Sequence, residues 1–319
     1  MSQNLWVLTD GKIGDVAQCI GVADALGLPY EIRIVTPRKL FTYAMPWGPI
    51  DPKDAPHKPE SPLAPPYPAV AIASGRRAVP YLRALKRLSK GKTFTVFLKD
   101  PKINSKFADF IWAPEHDSIS GKNILTTLTA PHRFSAQKLS EARETPLDEI
   151  ASLPKPKAAV LVGGNSRHHT FTPDNINTLV TALKSLSHSH SLMITCSRRT
   201  PRELSRELYD LGGAHGNLFW NGKGENPIIQ YLANAEIIVV TTDSTNMVGE
   251  AAATGKPIYG FRPTGAHKKF DRFLSKMEDL GVLHPFPGDI LAPTYEPIDA
   301  TPDIADAISK AIEQKQASG

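Results

Sequence analysis

Short apolar runs recur along the chain with amphipathic stretches between them, the alternation that builds a mostly parallel sheet covered by helices on both faces. In the first half the runs predict strands over Leu5–Thr9, Glu31–Val35, Ala69–Ala73, Thr93–Leu98 and Phe110–Ala113. Helical periodicity falls on Val16–Leu26 and Ala78–Leu88. The pattern restarts at Ala158–Val162 and continues through Ser191–Thr195, Leu218–Trp220, Glu236–Thr241 and Pro257–Phe261. Two Rossmann-like halves are the simplest account, and 319 residues is the length of two domains rather than one.

The predicted division is an N-terminal domain over 1–148, a second over 149–300, and a C-terminal helix within 301–319 that packs back towards the first. The join is expected near Glu144–Pro156, where Pro146, Pro154 and Pro156 interrupt helix. The last helix reads over Pro302–Lys315, with Ile304, Ala307, Ile308 and Ile312 on one side. Between Met45 and Pro68 stand nine prolines and one glycine. That composition predicts an extended insertion at about 45–68, either a long surface connection or a lid or membrane-facing loop.

Composition narrows the class. Hydrophobic residues at 41% and charged residues at 22% describe a globular protein and exclude a disordered or fibrous one. The net charge of +5 suits an anionic small molecule or an anionic membrane face and falls short of a nucleic-acid signature. Cys19 and Cys196 are far apart and beside no second ligand, so neither a disulfide framework nor a zinc site is expected, and a reducing compartment fits. No apolar run reaches the ~18 residues of a membrane span. Met1–Asn4 lead directly into a strand without a basic leader, which predicts a cytoplasmic chain, with peripheral attachment at the inner membrane face as an extension.

Candidate chemistry lies where strands end. After the strand ending at Thr241 comes Thr242-Asp243-Ser244-Thr245, opening a helix predicted over Asn246–Thr254. Amides, hydroxyls and a positive dipole end converge there, as a diphosphate would need, or they cap an ordinary helix. Glu250 shares a helix face with Asn246, where a carboxylate can accept from both hydroxyls of a ribose. A second loop, Gly163-Gly164-Asn165-Ser166-Arg167-His168-His169, offers close backbone approach and a forked cation. The histidine pair reads as solvated loop rather than metal site. A third loop, Ser197-Arg198-Arg199-Thr200-Pro201, again separates a strand from a helix, and Asn226-Pro227 reads as a further helix start.

In the first half Gly11, Lys12, Gly14 and Asp15 follow strand one. The spacing is neither a dinucleotide fingerprint nor a Walker loop. Asp15 then either caps its helix or acts as a general base towards an acceptor hydroxyl. Lys99-Asp100 and Glu115-His116-Asp117 follow later strands, and His116 with Asp117 are further acid–base candidates.

The stretches Asp10–Asp15, Gly163–Asn165, Ser197–Pro201, Glu225–Pro227 and Thr241–Pro257 together resemble the mitochondrial fission "elongated mitochondria" family. The resemblance covers most of the chain outside the proline-rich segment, and Val240–Pro257 is its most specific part. It implies a GT-B architecture of two facing Rossmann-like domains, with donor-site logic similar to that of the peptidoglycan N-acetylglucosaminyltransferase and the heptosyltransferases. By that likeness Glu250 is the ribose glutamate and Ser244, Thr245 and Asn246 form the diphosphate turn. Asp15 resembles the base aspartate of the heptosyltransferases.

The implied reaction is transfer of a sugar from a nucleotide diphosphate, UDP foremost, to a hydroxyl of a cell-envelope or lipid-linked acceptor, with inversion. No Asp-x-Asp ligand pair occurs, so leaving-group charge is expected to fall on helix amides, Arg167, Arg198 and Arg199, with no metal and no resident cofactor. Phe41, Tyr43 and Trp47 are expected as exposed apolar loop residues facing a membrane. Two competing readings are a non-catalytic adaptor that recruits a dynamin-related division partner, and a nucleotide-sugar epimerase that would draw on His116 and Glu115.

Overall fold

The computed structural model describes residues 4–214, 216–291 and 293–317. The chain forms two compact units, one of residues 1–133 with 300–319 and one of residues 134–299.

The first unit is a six-stranded parallel sheet, β1 (Leu5–Thr9), β2 (Tyr30–Ile34), β3 (Val70–Ser74), β4 (Phe94–Leu98), β5 (Phe110–Pro114) and β6 (Ile124–Thr127), in the order 2-1-3-4-5-6. Its helices are α1 (Ile13–Ala25), α2 (Lys39–Ala44) and α3 (Ala78–Leu88). Alternation along the strands divides the core. Leu5, Val7, Val70, Ile72, Val96 and Trp112 meet Cys19 and Val22 of α1, together with Ile304 and Ile308 of the C-terminal helix. The intervening Trp6, Leu8, Ala71, Ala73 and Phe97 meet Val79 and Leu82 of α3 on the other face. β6 was not predicted: Ile-Leu-Thr-Thr is a half-buried edge strand with little pattern of its own.

The proline-rich segment departs from expectation. It is not a loose loop: Met45 and Leu63 are fully buried in the α3-side core. Asp51 takes a forked bond from Arg38, and Asp54 accepts from the Tyr81 hydroxyl while its carbonyl accepts from Ser61. Prolines supply preset φ angles, and these buried acceptors supply the fixed points. Phe41, expected to be exposed, is partly buried against the same core under the Arg38 guanidinium.

The second unit opens with α4 (Ala136–Glu144) and α5 (Asp148–Ala151). Its strands are β7 (Lys157–Val162), β8 (His169–Thr170), β9 (Ser191–Cys196), β10 (Leu218–Trp220), β11 (Ile237–Thr241), β12 (Ile258–Phe261), β13 (Thr264–Gly265) and β14 (Leu283–Pro285). Its remaining helices are α6 (Pro173–Leu186), α7 (Arg202–Gly212), α8 (Ile228–Asn234), α9 (Thr245–Ala252) and α10 (Lys268–Asp279). The main sheet is parallel in the order 10-9-7-11-12-14, and β8 pairs antiparallel with β13.

The expected join at Glu144–Pro156 is displaced, because α4 belongs to the second unit. The Arg143 guanidinium donates to the carbonyl of Ala233 at 3.2 Å and the Asn234 amide to that of Ala142 at 3.0 Å. The final helix, α11 (Thr301–Ala317), belongs to the first unit and extends one to two residues beyond its predicted ends. Thr129 Oγ1 accepts from the Ala300 amide at 3.3 Å, and Thr301 Oγ1 from the His132 amide at 3.1 Å.

Candidate functional site

In an open parallel sheet, ligands bind at the carboxyl edge where the strand order reverses. In the second unit that point lies between β7 and β11, which carry the Gly163-Gly164 loop and the Thr241–Ser244 turn. The third predicted loop follows β9, on the other side of β7, so three of the sequence-predicted loops do meet on one edge.

Their junction is built around Asp243. This carboxylate has no solvent exposure. It accepts the Gly164 N–H at 3.0 Å and the Thr241 hydroxyl at 2.7 Å, and that hydroxyl accepts the Gly163 N–H at 2.7 Å. The Arg199 guanidinium lies 3.9 Å away. Burial raises the carboxyl's pKa, against the lowering effect of these donors and of Arg199. The β9 loop closes on the same knot, with Asn165 N–H donating to the Arg199 carbonyl at 3.0 Å and the Thr200 hydroxyl donating to Gly163 O.

Both glycines are dictated by this convergence. A Cβ on Gly163 would lie 2.2 Å from the Asp243 oxygens, and one on Gly164 would lie 2.1 Å from the carbonyl carbon of Arg199. The close approach foreseen for a ligand is therefore an approach between loops. Asp243, Gly163 and Gly164 direct their polar groups inward, and Asn165 Oδ1 accepts the Phe171 amide at 2.8 Å. Ser197 Oγ likewise accepts the Arg199 amide at 3.1 Å. Gly163, Gly164 and Asp243 are buried scaffold in this unit, whereas Asn165 is exposed and Ser197 half-buried, each with one side-chain oxygen tied to a backbone amide.

The remaining predicted donor residues lie nearer the surface. Arg167, Arg198 and Arg199 are exposed, and Ser244, Thr245, Asn246 and Glu250 are half-buried. Ser244 caps α9, its hydroxyl facing the Met247 amide at 3.5 Å. Asn226 Oδ1 accepts the Ile228 amide at 3.1 Å in the turn before α8, but the helix begins at Ile228 with Pro227, not Asn226, at its cap position, so the expected Asn cap with Pro at the first helical position is shifted by one residue. Arg167 Nε donates to His168 Nε2 at 2.8 Å, which fixes that ring as a neutral acceptor. Burial, His267 and Arg167 keep its pKa below the ordinary histidine value. The histidine pair is not a solvated loop: His169 is buried and stacks on Phe270 at 5.6 Å, and His168 lies 4.1 Å from the His267 ring.

In the first unit the order reverses between β1 and β3. Asp10 and Asp15 follow β1, Gly75 follows β3 and Lys99 follows β4. Asp15 is buried in the first turn of α1, and its Oδ1 is paired with Lys99 Nζ. The capping alternative for Asp15 is thereby removed: Lys12 occupies the cap position with no side-chain bond, and Asp15 is spent on Lys99. Gly75, at φ +92°, leaves room for both carboxylates, since a Cβ there would stand 3.1 Å from Asp15 Oδ2 and 3.4 Å from Asp10 Oδ1. Lys99 itself is held at φ +97°, a conformation that costs a non-glycine residue about 1–3 kcal/mol and persists where its surroundings fix it. Lys12 binds Asp10 at 2.7 Å, and Arg77 lies 4.0 Å from the same oxygen. Gly11 forms the turn and donates to Thr9 Oγ1 at 3.0 Å, and Gly14 lies within α1.

His116 and Asp117 form a short turn after β5, the neighbour of β4, and Asp117 adds to the charge that raises the Lys102 pKa. In the sequence reading Asp10, Thr200 and Thr241 stood within motifs without a role, and Gly75 and Arg77 escaped it. Their signal was present: Gly75-Arg76-Arg77 repeats after β3 the strand-then-Gly/Arg arrangement recognised in the second half.

A family model described as mitochondrial fission ELM1 matches residues 13–312. The mitochondrial fission protein ELM1 of Arabidopsis thaliana is 27% identical over 273 residues, which cover 77% of this chain and 64% of the plant protein. The chain thus spans just under two-thirds of that relative's length. An uncharacterized protein of Rickettsia prowazekii is 26% identical, covering 97% of this chain and 98% of its own. Among solved structures, the S. aureus MnaA structure with UDP aligns at TM-score 0.52 with 9% identity, over 98% of this chain and 90% of that one. A putative UDP-N-acetylglucosamine 2-epimerase of Listeria monocytogenes aligns at 0.51 with 10% identity, over 99% and 89%. These likenesses, with the two six-stranded parallel sheets, place the fold in the GT-B class.

Proposed function

The chain belongs to the mitochondrial fission ELM1 family, and we propose that it is an inverting glycosyltransferase that uses a nucleotide-diphosphate sugar, a UDP-sugar foremost. The acceptor is a hydroxyl of an envelope or lipid-linked molecule at the inner membrane face. One observation supports this above the others: at the reversal point of the second sheet, buried ties among three loops leave Arg167, Arg198, Arg199 and the α9 N-terminus as the outward groups. Such groups suit a diphosphate, because cations and helix-end amides stabilise the charge that grows on a leaving phosphate. Glu250 accepts from the ribose hydroxyls, and Asn246 and Thr245 flank the phosphates.

In the transfer step the acceptor oxygen bonds to the anomeric carbon as the bond from that carbon to the phosphate oxygen breaks. The acceptor proton passes to Asp15, whose carboxylate Lys99 orients. The nucleoside diphosphate leaves carrying the electron pair, its charge met by the arginines. No step calls for a resident cofactor or a metal.

The experiment is a thermal-shift screen against UDP, GDP, CMP and ADP sugars, followed by product analysis. A shift with a UDP sugar is expected, lost in Glu250→Ala, while Asp15→Asn keeps the shift and stops turnover. Turnover retained in Asp15→Asn moves the base to His116 or Asp117. An epimerised sugar nucleotide without acceptor would replace transfer by epimerisation. The family's name favours a second reading, an adaptor for a division partner, and absence of a shift with every nucleotide sugar would select it.

A further inference from the structure

The proline-rich segment is anchored by buried Met45, Asp51, Asp54 and Leu63, yet α2 just before it and the turn that follows present large apolar side chains to solvent. Leu40 is 75% exposed, Tyr43 80% and Trp47 66%. The exposure is held in place rather than incidental. Arg76 donates to the Thr42 carbonyl at 2.6 Å, and Arg83 donates to the carbonyls of Gly48 at 2.6 Å and Trp47 at 3.0 Å. Beneath, Met45 is fully buried and Arg38 is locked to Asp51. A short helix and its following turn are thus fixed with their apolar side outward.

The surrounding charge has one sign. From Val35 to Pro59 the only acids are Asp51 and Asp54, both buried and bonded to Arg38 and Tyr81. The Arg76–Leu88 stretch of the neighbouring loop and α3 contains five cations and no acid. Three exposed apolar side chains on a segment that carries Lys39 and is tethered by Arg76 and Arg83 match one surface chemistry: an anionic lipid headgroup layer over acyl chains, where aromatic side chains settle at the boundary and basic ones meet phosphate.

We propose that Leu40, Tyr43 and Trp47, with Lys39, Arg76 and Arg83, form a docking surface for an anionic bilayer. The inference extends the membrane-face location proposed above and does not depend on sugar transfer, because it is read without any nucleotide sugar. Its failure would leave the donor-site screen untouched, and failure of that screen would leave this surface standing.

The test is cosedimentation of the full chain with vesicles of equal parts phosphatidylglycerol and phosphatidylcholine, against vesicles of phosphatidylcholine alone. Binding to the mixed vesicles should exceed binding to neutral ones by at least about tenfold and fall with added salt, since each basic residue near an anionic surface contributes about fivefold. Leu40→Ser, Tyr43→Ser and Trp47→Ser combined should lower it by roughly tenfold or more, and Lys39→Ala by about fivefold. In the unaltered chain, Trp47 emission should shift to the blue with mixed vesicles only, and the shift should vanish in Trp47→Phe. That readout holds even if the triple variant folds poorly. Equal binding to both vesicles, or binding undiminished in a folded triple variant, would overturn the proposal. So would a triple variant that loses self-association in size exclusion while still binding vesicles, which would reassign the surface to a second copy of the chain.

Discussion

The knot around Asp243 makes a quantitative claim about the second unit. Truncation to alanine removes an acceptor shared by the Gly164 amide and the Thr241 hydroxyl, in a place with no solvent to replace it. A buried donor left unpaired costs about 1–3 kcal/mol. Two such donors and the emptied volume would cost more, but the hydroxyl can rotate and a carboxylate already penalised by burial is removed. The net expectation is a loss of about 2–4 kcal/mol, and about 3 kcal/mol lowers the Tm of a unit this size by about 6–12 °C. Asp243→Asn keeps the shape and one acceptor but sets an amide N–H against a donor, and should cost about half as much. Thr241→Val, which strips the Gly163 amide of its partner, should cost about 1–2 kcal/mol.

Urea unfolding followed by a probe in residues 134–299 measures all three. Because the two side chains share one network, the double variant should depart from additivity by at least about 0.5 kcal/mol. Asp243→Ala within about 0.5 kcal/mol of the unaltered chain, or strictly additive losses, would refute the knot. The pH dependence has a definite sign. A carboxyl whose folded pKa is raised binds its proton more tightly in the folded state, so its contribution declines as pH rises from the ordinary carboxylate range through the folded value. Asp243→Asn should remove that decline.

Other outcomes follow from single positions. Gly164→Ala drives a methyl into the Arg199 backbone and should destabilise by about 1–3 kcal/mol or more in the same urea assay. In the first unit the Arg38 guanidinium and backbone donors hold Asp51 well below the usual carboxylate range. Its contribution is therefore present above the unfolded carboxylate pKa and lost as pH falls below it, the opposite slope to Asp243, and acid titration of Asp51→Asn should show it gone. Burial pushes the Cys19 thiol up, with Asp15 adding to it, and pushes Cys196 up to about 12. Neither should react with a thiol reagent at pH 8 until urea unfolds the chain, when both should.

The strand frame was readable because the central parallel strands, buried on both faces, are largely apolar runs, and with the edge strands β2 and β10 ten strands fall within about one residue of their predicted places. β6 and β14 were not, since an edge strand of two threonines and a Leu-His-Pro triplet carry almost no periodic signal. The domain join escaped for a different reason. Prolines mark where helix stops, whereas membership of a unit depends on partners far along the chain, here Arg143 with Ala233 and Asn234 with Ala142. The same distinction explains the proline-rich segment, whose local composition reads as open chain while its burial rests on Met45, Leu63 and two bonded aspartates.

At the candidate site the same limit acts residue by residue. That residues with phosphate-seat chemistry follow β7, β9 and β11 is a local fact, legible from strand ends and glycine spacing. Which of them face outward depends on hydrogen bonds across 78 and 79 positions, from Gly163 to Thr241 and from Gly164 to Asp243. Those ties turn Asp243 inward and convert two glycines from ligand cradle to loop contact. The first unit behaves alike: from sequence Asp15 reads equally as a helix cap or a general base, and it is Lys99, 84 positions away, that takes its carboxylate. In both units, then, a strand end marks a candidate site, and the role of its acidic side chain is identified only by a partner at the end of another strand, the neighbouring one for Asp243 and the second one along for Asp15. An acidic residue in such a loop is better assigned by asking which other strand end of the same sheet can supply a donor than by asking which ligand it could bind.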